Sequence, residues 1–266
     1  MGDFDTWESY FYPPPDQGTF RNLFDERDAR VLTFLEYTET ADRQRELLSG
    51  EAQIARTFDG AHLRAIHGHL FQDVYEWAGR YRTVNMAKGI GRGFGDVHAG
   101  EVDRLLADAH RVVAGTQWDR LDRQGFGEQA ARVFAYVNQA HPFREGNGRT
   151  SKVFMAHVAE QSRFALDFSR VTPEVWNEAS QMSRPDLHGY EPYPEFLVPV
   201  FQEVAVPRAR IVAGDVEPGV QAHSLVRASY PQAAQDATRP GAGPAPAPRA
   251  SGVYRPGRSA ESGRGE

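Results

Sequence analysis

Hydrophobic positions recur with helical spacing in several separate segments of the chain. Within 59–75, Leu63, Ile66, Leu70 and Phe71 stand three or four residues apart, the spacing that gathers side chains on one helix face. The same rhythm returns over 102–113 and over 126–139, where Ala130, Val133, Phe134 and Val137 share a face. A helix is predicted over 25–48, with Leu32, Leu35 and Glu36 among alternating charges and Gly50 as its stop. Others are predicted over 149–161, from Pro173 with Thr172 as its cap, and around Phe196, Leu197, Val200 and Phe201. One stretch breaks the rhythm. Arg80-Tyr81-Arg82-Thr83-Val84-Asn85-Met86 has strand-like composition and runs into glycines at 89, 91, 93 and 95, which predicts a short hairpin between helices. The fold class predicted is all-α with a short β-hairpin.

The two ends read differently. Residues 6–18, with Pro13-Pro14-Pro15, predict an extended arm pinned by Tyr10, Phe11 and Tyr12. From about 207 to 266 the chain is rich in Pro, Gly, Ala and Arg; such a segment buries too little apolar surface to offset its ordering entropy and is predicted to be a disordered tail. Residues 1–206 then form the folded domain. The absence of cysteine removes disulfides and thiolate metal sites. The net charge of -6 argues against nonspecific binding to nucleic acid or membrane surfaces. An acidic start without an apolar core, and no long apolar stretch, lead to a cytoplasmic expectation. The basic residues are almost all arginine; Lys88 and Lys152 are the only lysines.

The candidate chemistry sits in His141-Pro142-Phe143-Arg144-Glu145-Gly146-Asn147-Gly148-Arg149-Thr150. Gly146-Asn147-Gly148 is a turn at a helix start, where backbone N–H groups converge and the helix dipole favours an anion such as phosphate. Arg149 offers a planar fork for phosphate oxygens. Glu145 offers a carboxylate for a divalent cation on those phosphates. His141 is the nearby side chain able to accept a proton near neutral pH. A histidine before proline, or a lone glycine turn, is ordinarily only a helix stop or a turn; the joint spacing is what is specific. His62, His67 and His69 lack the four-residue step of a helical metal pair and read as structural. Arg92 and His98 lie near enough to the hairpin to approach a nucleotide.

At these residues the chain resembles the Fic family, whose signature is His-Pro-Phe-x-(Asp or Glu)-Gly-Asn-Gly-Arg-x-x-Arg. It matches every position through Arg149. The resemblance extends to 66–79 before the hairpin, to 82–89, and to Tyr12-Pro13 and Arg21-Asn22, covering about 10–206. It implies a Fic-type helical bundle with the hairpin as a flap over the active-site loop, and transfer of AMP from ATP to a Ser, Thr or Tyr hydroxyl of a target protein. His141 would deprotonate that hydroxyl and Phe143 would anchor the loop. Glu145 would hold Mg²⁺ on the ATP phosphates, and Gly146, Asn147, Gly148, Arg149 and Lys152 would bind phosphate. Thr83, Val84, Asn85, Met86 and Lys88 would dock an extended target segment by strand addition.

The family's second arginine falls at Lys152, which keeps the charge and loses the fork. The family's inhibitory pattern, (Ser or Thr)-x-x-x-Glu-(Gly or Asn), has no match in the helices before the flap; Ser262-x-x-x-Glu266 fits its first part within the tail. The resemblance therefore implies a toxin- or effector-like protein held by a separate small antitoxin-like inhibitor. The alternatives are transfer of another phosphate group, as in phosphorylation, and a catalytically weak binding or regulatory module, suggested by Lys152. Gly148 favours AMP transfer, because phosphorylating relatives usually carry lysine there.

Overall fold

The computed structural model describes residues 4–88 and 92–208. The tail prediction from residue 209 onward, with Ser262 and Glu266, lies outside the described residues, as do Gly89 and Gly91 of the glycine run. Most helix starts are set by short polar caps, which satisfy amide donors that have no partner within the helix. Asp28 accepts the Arg30 and Val31 N–H groups to open α1 (Ala29–Ser49), which Gly50 ends at φ 80°. Asp59 caps α2 (Gly60–Phe71), and α3 spans Glu101–Gly115. Asp122 caps α4 (Arg123–Ala140), and Thr172 caps α6 (Pro173–Met182) with the expected proline at its start. Between these lie α5 (Asn147–Ala159) and, last, α7 (Val198–Val204). The helical class is as the sequence predicts. No helix among the described residues is long and apolar enough to cross a membrane.

Among the described residues, the one antiparallel pair of strands lies away from the predicted hairpin, whose residues 89–91 are outside them. Strand β1 (Phe164–Leu166) pairs with β2 (Ala205–Pro207), with Phe164 opposite Pro207 and Leu166 opposite Ala205. In the 83–88 segment the Met86 carbonyl accepts the Phe94 N–H at 2.9 Å and Ala87 lies in a β-bridge. The N-terminal arm includes a 3-10 turn at Glu8–Tyr10, and Phe11 bridges Phe20 across it.

Helix α4 packs against α3, α5 and α7, and so forms the centre of the bundle. Eleven of the 13 residues of α5 are buried, so this helix has almost no solvent-exposed face and shows weak amphipathic periodicity. Helix α1 has the opposite peculiarity. Its buried stripe is Leu32, Glu36, Thr40, Gln44 and Leu47, steps of four and finally three residues occupied mainly by polar side chains. The candidate site supplies partners to Glu36 and Thr40, while the buried Gln44 amide has none.

Two helices are joined by a histidine pair. His62 of α2 accepts the Phe58 N–H at Nδ1 (3.2 Å), so its proton is on Nε2 and is donated to Nδ1 of His157 on α5 at 3.0 Å. Burial lowers the pKa of His62 to about 4 and that of His157 to about 2. In an unfolded chain a histidine titrates near about 6.5, so below that pH the unfolded state binds protons that the folded state does not. The neutral pair thus contributes its full stability above about pH 6.5 and loses it on acidification, by about 1.4 kcal/mol per pH unit for each ring. The double variant His62→Leu/His157→Leu is expected to show a shallower fall in unfolding free energy than the parent between about pH 6.5 and pH 5, measured by urea titration. A slope equal to the parent's would show that the pair carries none of the acid sensitivity.

Candidate functional site

The predicted motif is the link between α4 and α5. Helix α4 ends where His141 turns left-handed, at φ 41°, its N–H still bonded to the Val137 carbonyl. The loop is closed by Asn147. Its side chain accepts the Phe143 N–H at 2.9 Å and donates to the Phe143 carbonyl at 2.7 Å. Asn147 therefore places its side chain in loop closure and leaves only its backbone N–H for an anion. Gly146 takes φ 79° and lies against Phe71, where an added Cβ would sit 2.2 Å from the ring. No side chain caps α5 there, so its first amides face the pocket and offer an anion cradle. Phe143 is fully buried, stacked on His67 at 3.9 Å between centroids. His67 takes the Gly79 N–H at Nδ1 and so donates from Nε2 to the Glu145 carbonyl at 3.1 Å.

The His141 ring stacks on Phe94 at 3.8 Å and 8°. Burial, then the positive charges of Lys88, Arg82 and Arg184, hold its pKa well below the usual histidine range; a hydrogen bond to the Asn138 backbone opposes them. The imidazole is thus held in its neutral form. Arg82, which the sequence does not single out, fixes the loop to the flap. Its backbone N–H reaches the Pro142 carbonyl (2.8 Å) and its Nε the His141 carbonyl (2.8 Å). Its two terminal nitrogens reach Val84 (2.7 Å), Gly95 (2.5 Å) and Ala140 (3.3 Å). Arg184 lies 4.7 Å from the same Phe94 ring and donates to the carbonyls of Lys88 and Arg92. Phe94, set between two glycines, was the legible signal; nothing near Arg184 in sequence marks it.

Arg149 sits differently from its expected phosphate contact. It is buried, pairs with Glu36, donates to Thr40 Oγ1 at 3.0 Å, and lies 3.4 Å from Glu145. Glu36 also accepts the Tyr75 hydroxyl. Burial and the nearby Glu36 charge raise the pKa of Glu145, against the pull of Arg149 and Lys88. No group of three histidines or carboxylates gathers among the described residues. One pocket-lining carboxylate fits a Mg²⁺ held mostly by water and substrate phosphates.

Lys152 is 1% exposed, and its Nζ has no hydrogen-bond partner. It lies 4.8 Å from the Trp176 ring and 5.1 Å from Phe168. A cation over aromatic rings gains about 0.5–2 kcal/mol, whereas burying an ion costs several kcal/mol. Desolvation wins, and burial pushes its pKa well below the lysine range. Arg144, the variable position of the motif, is also 1% exposed without hydrogen bonds. Trp7, Phe20 and Phe11 surround it at 4.1, 4.8 and 5.2 Å, which explains why the aromatic arm is ordered.

In the flap, Met86 is buried, Asn85 accepts the Val97 N–H at 2.9 Å, and Thr83 donates to the Phe4 carbonyl. Val84 and Lys88 are partly exposed. Arg92 is paired with Glu101 at 2.6 Å, and His98 is exposed and outside the pocket lining.

Residues 57–159 match the model of the Fic/DOC family. This chain carries a Fic/DOC family domain. It is 32% identical to the protein adenylyltransferase VbhT of Bartonella schoenbuchensis over 180 residues, which are 67% of this chain and 35% of that protein. It is 38% identical over 124 residues to a probable protein adenylyltransferase of Sinorhizobium fredii, covering 46% of this chain and 62% of that one. The chain thus spans about a third of the first relative and under two thirds of the second. Among solved structures, a Fic domain of a VirB-translocated Bep effector from Bartonella quintana, with bound ADP, matches with a TM-score of 0.64 at 28% identity; the match covers 76% of this chain and 97% of that one.

Loop closure in this Fic domain leaves no room at Gly146. Gly146→Ala is expected to destabilise the protein by about 1–3 kcal/mol through overpacking and left-handed strain, read from the urea midpoint. Adding Phe71→Leu should recover part of that loss. No recovery would mean that backbone strain, rather than the Phe71 contact, requires the glycine.

Proposed function

We propose that this chain transfers AMP from ATP to a Ser, Thr or Tyr hydroxyl of a target protein. The observation that carries the reading is a neutral imidazole, His141, lining the same pocket as the uncapped N-terminus of α5. The names of the relatives and the ADP in the Bartonella quintana domain support it. In the reaction the target hydroxyl oxygen forms a bond to the α-phosphorus while the bond from that phosphorus to the bridging oxygen breaks, and pyrophosphate leaves. His141 takes the hydroxyl proton. The amides of Asn147, Gly148 and Arg149 hold the phosphate oxygens, and Gly146 provides the turn that aims them. Glu145 fits Mg²⁺, which when bound neutralises charge on the phosphates. The target segment lies along residues 83–88. Asn85 and Met86 are held internally, and Val84 and Lys88 are the partly exposed side chains of that segment that the resemblance assigns to docking.

The proposal extends to control by a separate small inhibitory protein, in keeping with a toxin- or effector-like role. No (Ser or Thr)-x-x-x-Glu-(Gly or Asn) run occurs among the described residues. Recovery of an active chain from its native host without such a partner would remove this part.

Incubating the full chain with cell lysate and ATP labelled at the α- or the γ-phosphate tests the transfer. Label is expected on protein from the α-position alone, reduced by at least about 10²-fold in His141→Ala. Label from the γ-position would instead identify a kinase, and no label from either a binding module.

A further inference from the structure

Arg184 stands just past the end of α6, and its two terminal nitrogens divide between the two legs of the flap. Nη1 donates to the Lys88 carbonyl at 2.7 Å and Nη2 to the Arg92 carbonyl. The guanidinium also lies 4.7 Å from the centre of the Phe94 ring, the ring that stacks on His141. Arg92 returns the contact, donating to the Gly189 carbonyl and pairing with Glu101 at 2.6 Å.

Arg184 is itself anchored to the last turn of α4. Asn138, three residues before His141, donates to the Ser180 carbonyl at 2.8 Å and reaches Ser183 Oγ at 3.5 Å. Ser183 is buried, bonds the Ala179 carbonyl through its N–H, and accepts the Tyr193 N–H at 2.8 Å. The contacts close a ring. Asn138 ties α4 to α6, Arg184 ties α6 to Lys88 and Arg92, and Phe94 returns to His141 at the end of α4.

Two arginines therefore share the flap. Arg82 reaches Val84 and Gly95, and Arg184 reaches Lys88 and Arg92, further out along each leg. Residues 83–88 run between these two anchors. The outer anchor needs a planar fork, because one cation must meet two carbonyls and lay its face on a ring; an ammonium meets them only as a point charge. Arg184 does not line the pocket that holds the α5 N-terminus.

We propose that Arg184 is a positioning residue for the acceptor hydroxyl. It fixes the outer part of the flap to the helix end that carries His141, so that a target segment laid along 83–88 brings its hydroxyl to a set distance from the imidazole. The inference rests on the transfer reading above and adds to it a residue outside the nucleotide pocket. Misplacement of reacting groups by an ångström costs about 10²-fold in rate, so loss of this anchor falls on transfer and spares nucleotide binding.

Arg184→Ala and Arg184→Lys in the full chain separate placement from binding. Hydrogen exchange in peptides covering 83–88 and 92–95 is expected to quicken by at least about tenfold in Arg184→Ala, with α4 and α5 unchanged. Protein labelling from α-labelled ATP in cell lysate should fall by about 10- to 100-fold. The ATP concentration giving half-maximal labelling, and the Kd of ADP by calorimetry, should stay within about threefold of the parent's. Arg184→Lys, which keeps the charge without the fork, should recover only part of the labelling. Flap exchange or labelling equal to the parent's in Arg184→Ala would overturn the proposal. So would an ADP affinity that falls in step with labelling, which would make Arg184 a nucleotide ligand or a general support of the fold. Should Arg184→Ala fail to fold, the same comparisons on Arg184→Lys decide. A parent that labels no protein would overturn the transfer reading, and this role for Arg184 with it.

Discussion

The site depends on the closure of one short link between two helices. Two left-handed residues, His141 and Gly146, turn the chain at its ends, and the Asn147 side chain ties its middle by bonding both backbone groups of Phe143. A buried backbone group left without a partner costs about 1–3 kcal/mol, so the loop has one well-paired arrangement. The flap inherits its position from that arrangement. Arg82 contacts the carbonyls of Ala140, His141 and Pro142, three consecutive residues. A shift of the loop by one residue would break all three contacts together.

Charge in the pocket is arranged around the same loop. Glu36 and Glu145 both approach Arg149, so one cation serves two carboxylates, and burial with the Glu36 charge raises the pKa of Glu145. Buried pairs of this kind contribute little net stability, because desolvation offsets attraction. Their effect is positional. Glu36 draws Arg149 toward α1 and leaves the N-terminus of α5 to the backbone amides, while Glu145 retains an unmet demand for positive charge beside it.

Several helices were legible because they have a side-chain cap or an apolar stripe. Asp59, Asp122 and Thr172 start helices within a few residues of the predicted positions. The motif was legible because its residues are contiguous. What could not be read is whatever depends on distant partners. Arg149 looks like a phosphate ligand in sequence, and only folding brings Glu36 against it. Lys152 stands in sequence at the position of the family's second arginine, and only the burial of α5 on nearly every side removes its water. The polar inner stripe of α1 carries no apolar signal. The strands β1 and β2 are three residues each, too short for any alternation to show.

The stack of His141 on Phe94 has a consequence for the cost of reaction at that imidazole. A phenyl ring 3.8 Å away and nearly parallel confines the imidazole to its own plane. Its rotational freedom is lost once, when the chain folds, instead of at each turnover. Any proton transfer there starts from a side chain whose orientational entropy has already been removed, and the ring that removes it belongs to the segment that Arg184 clamps beside the flap.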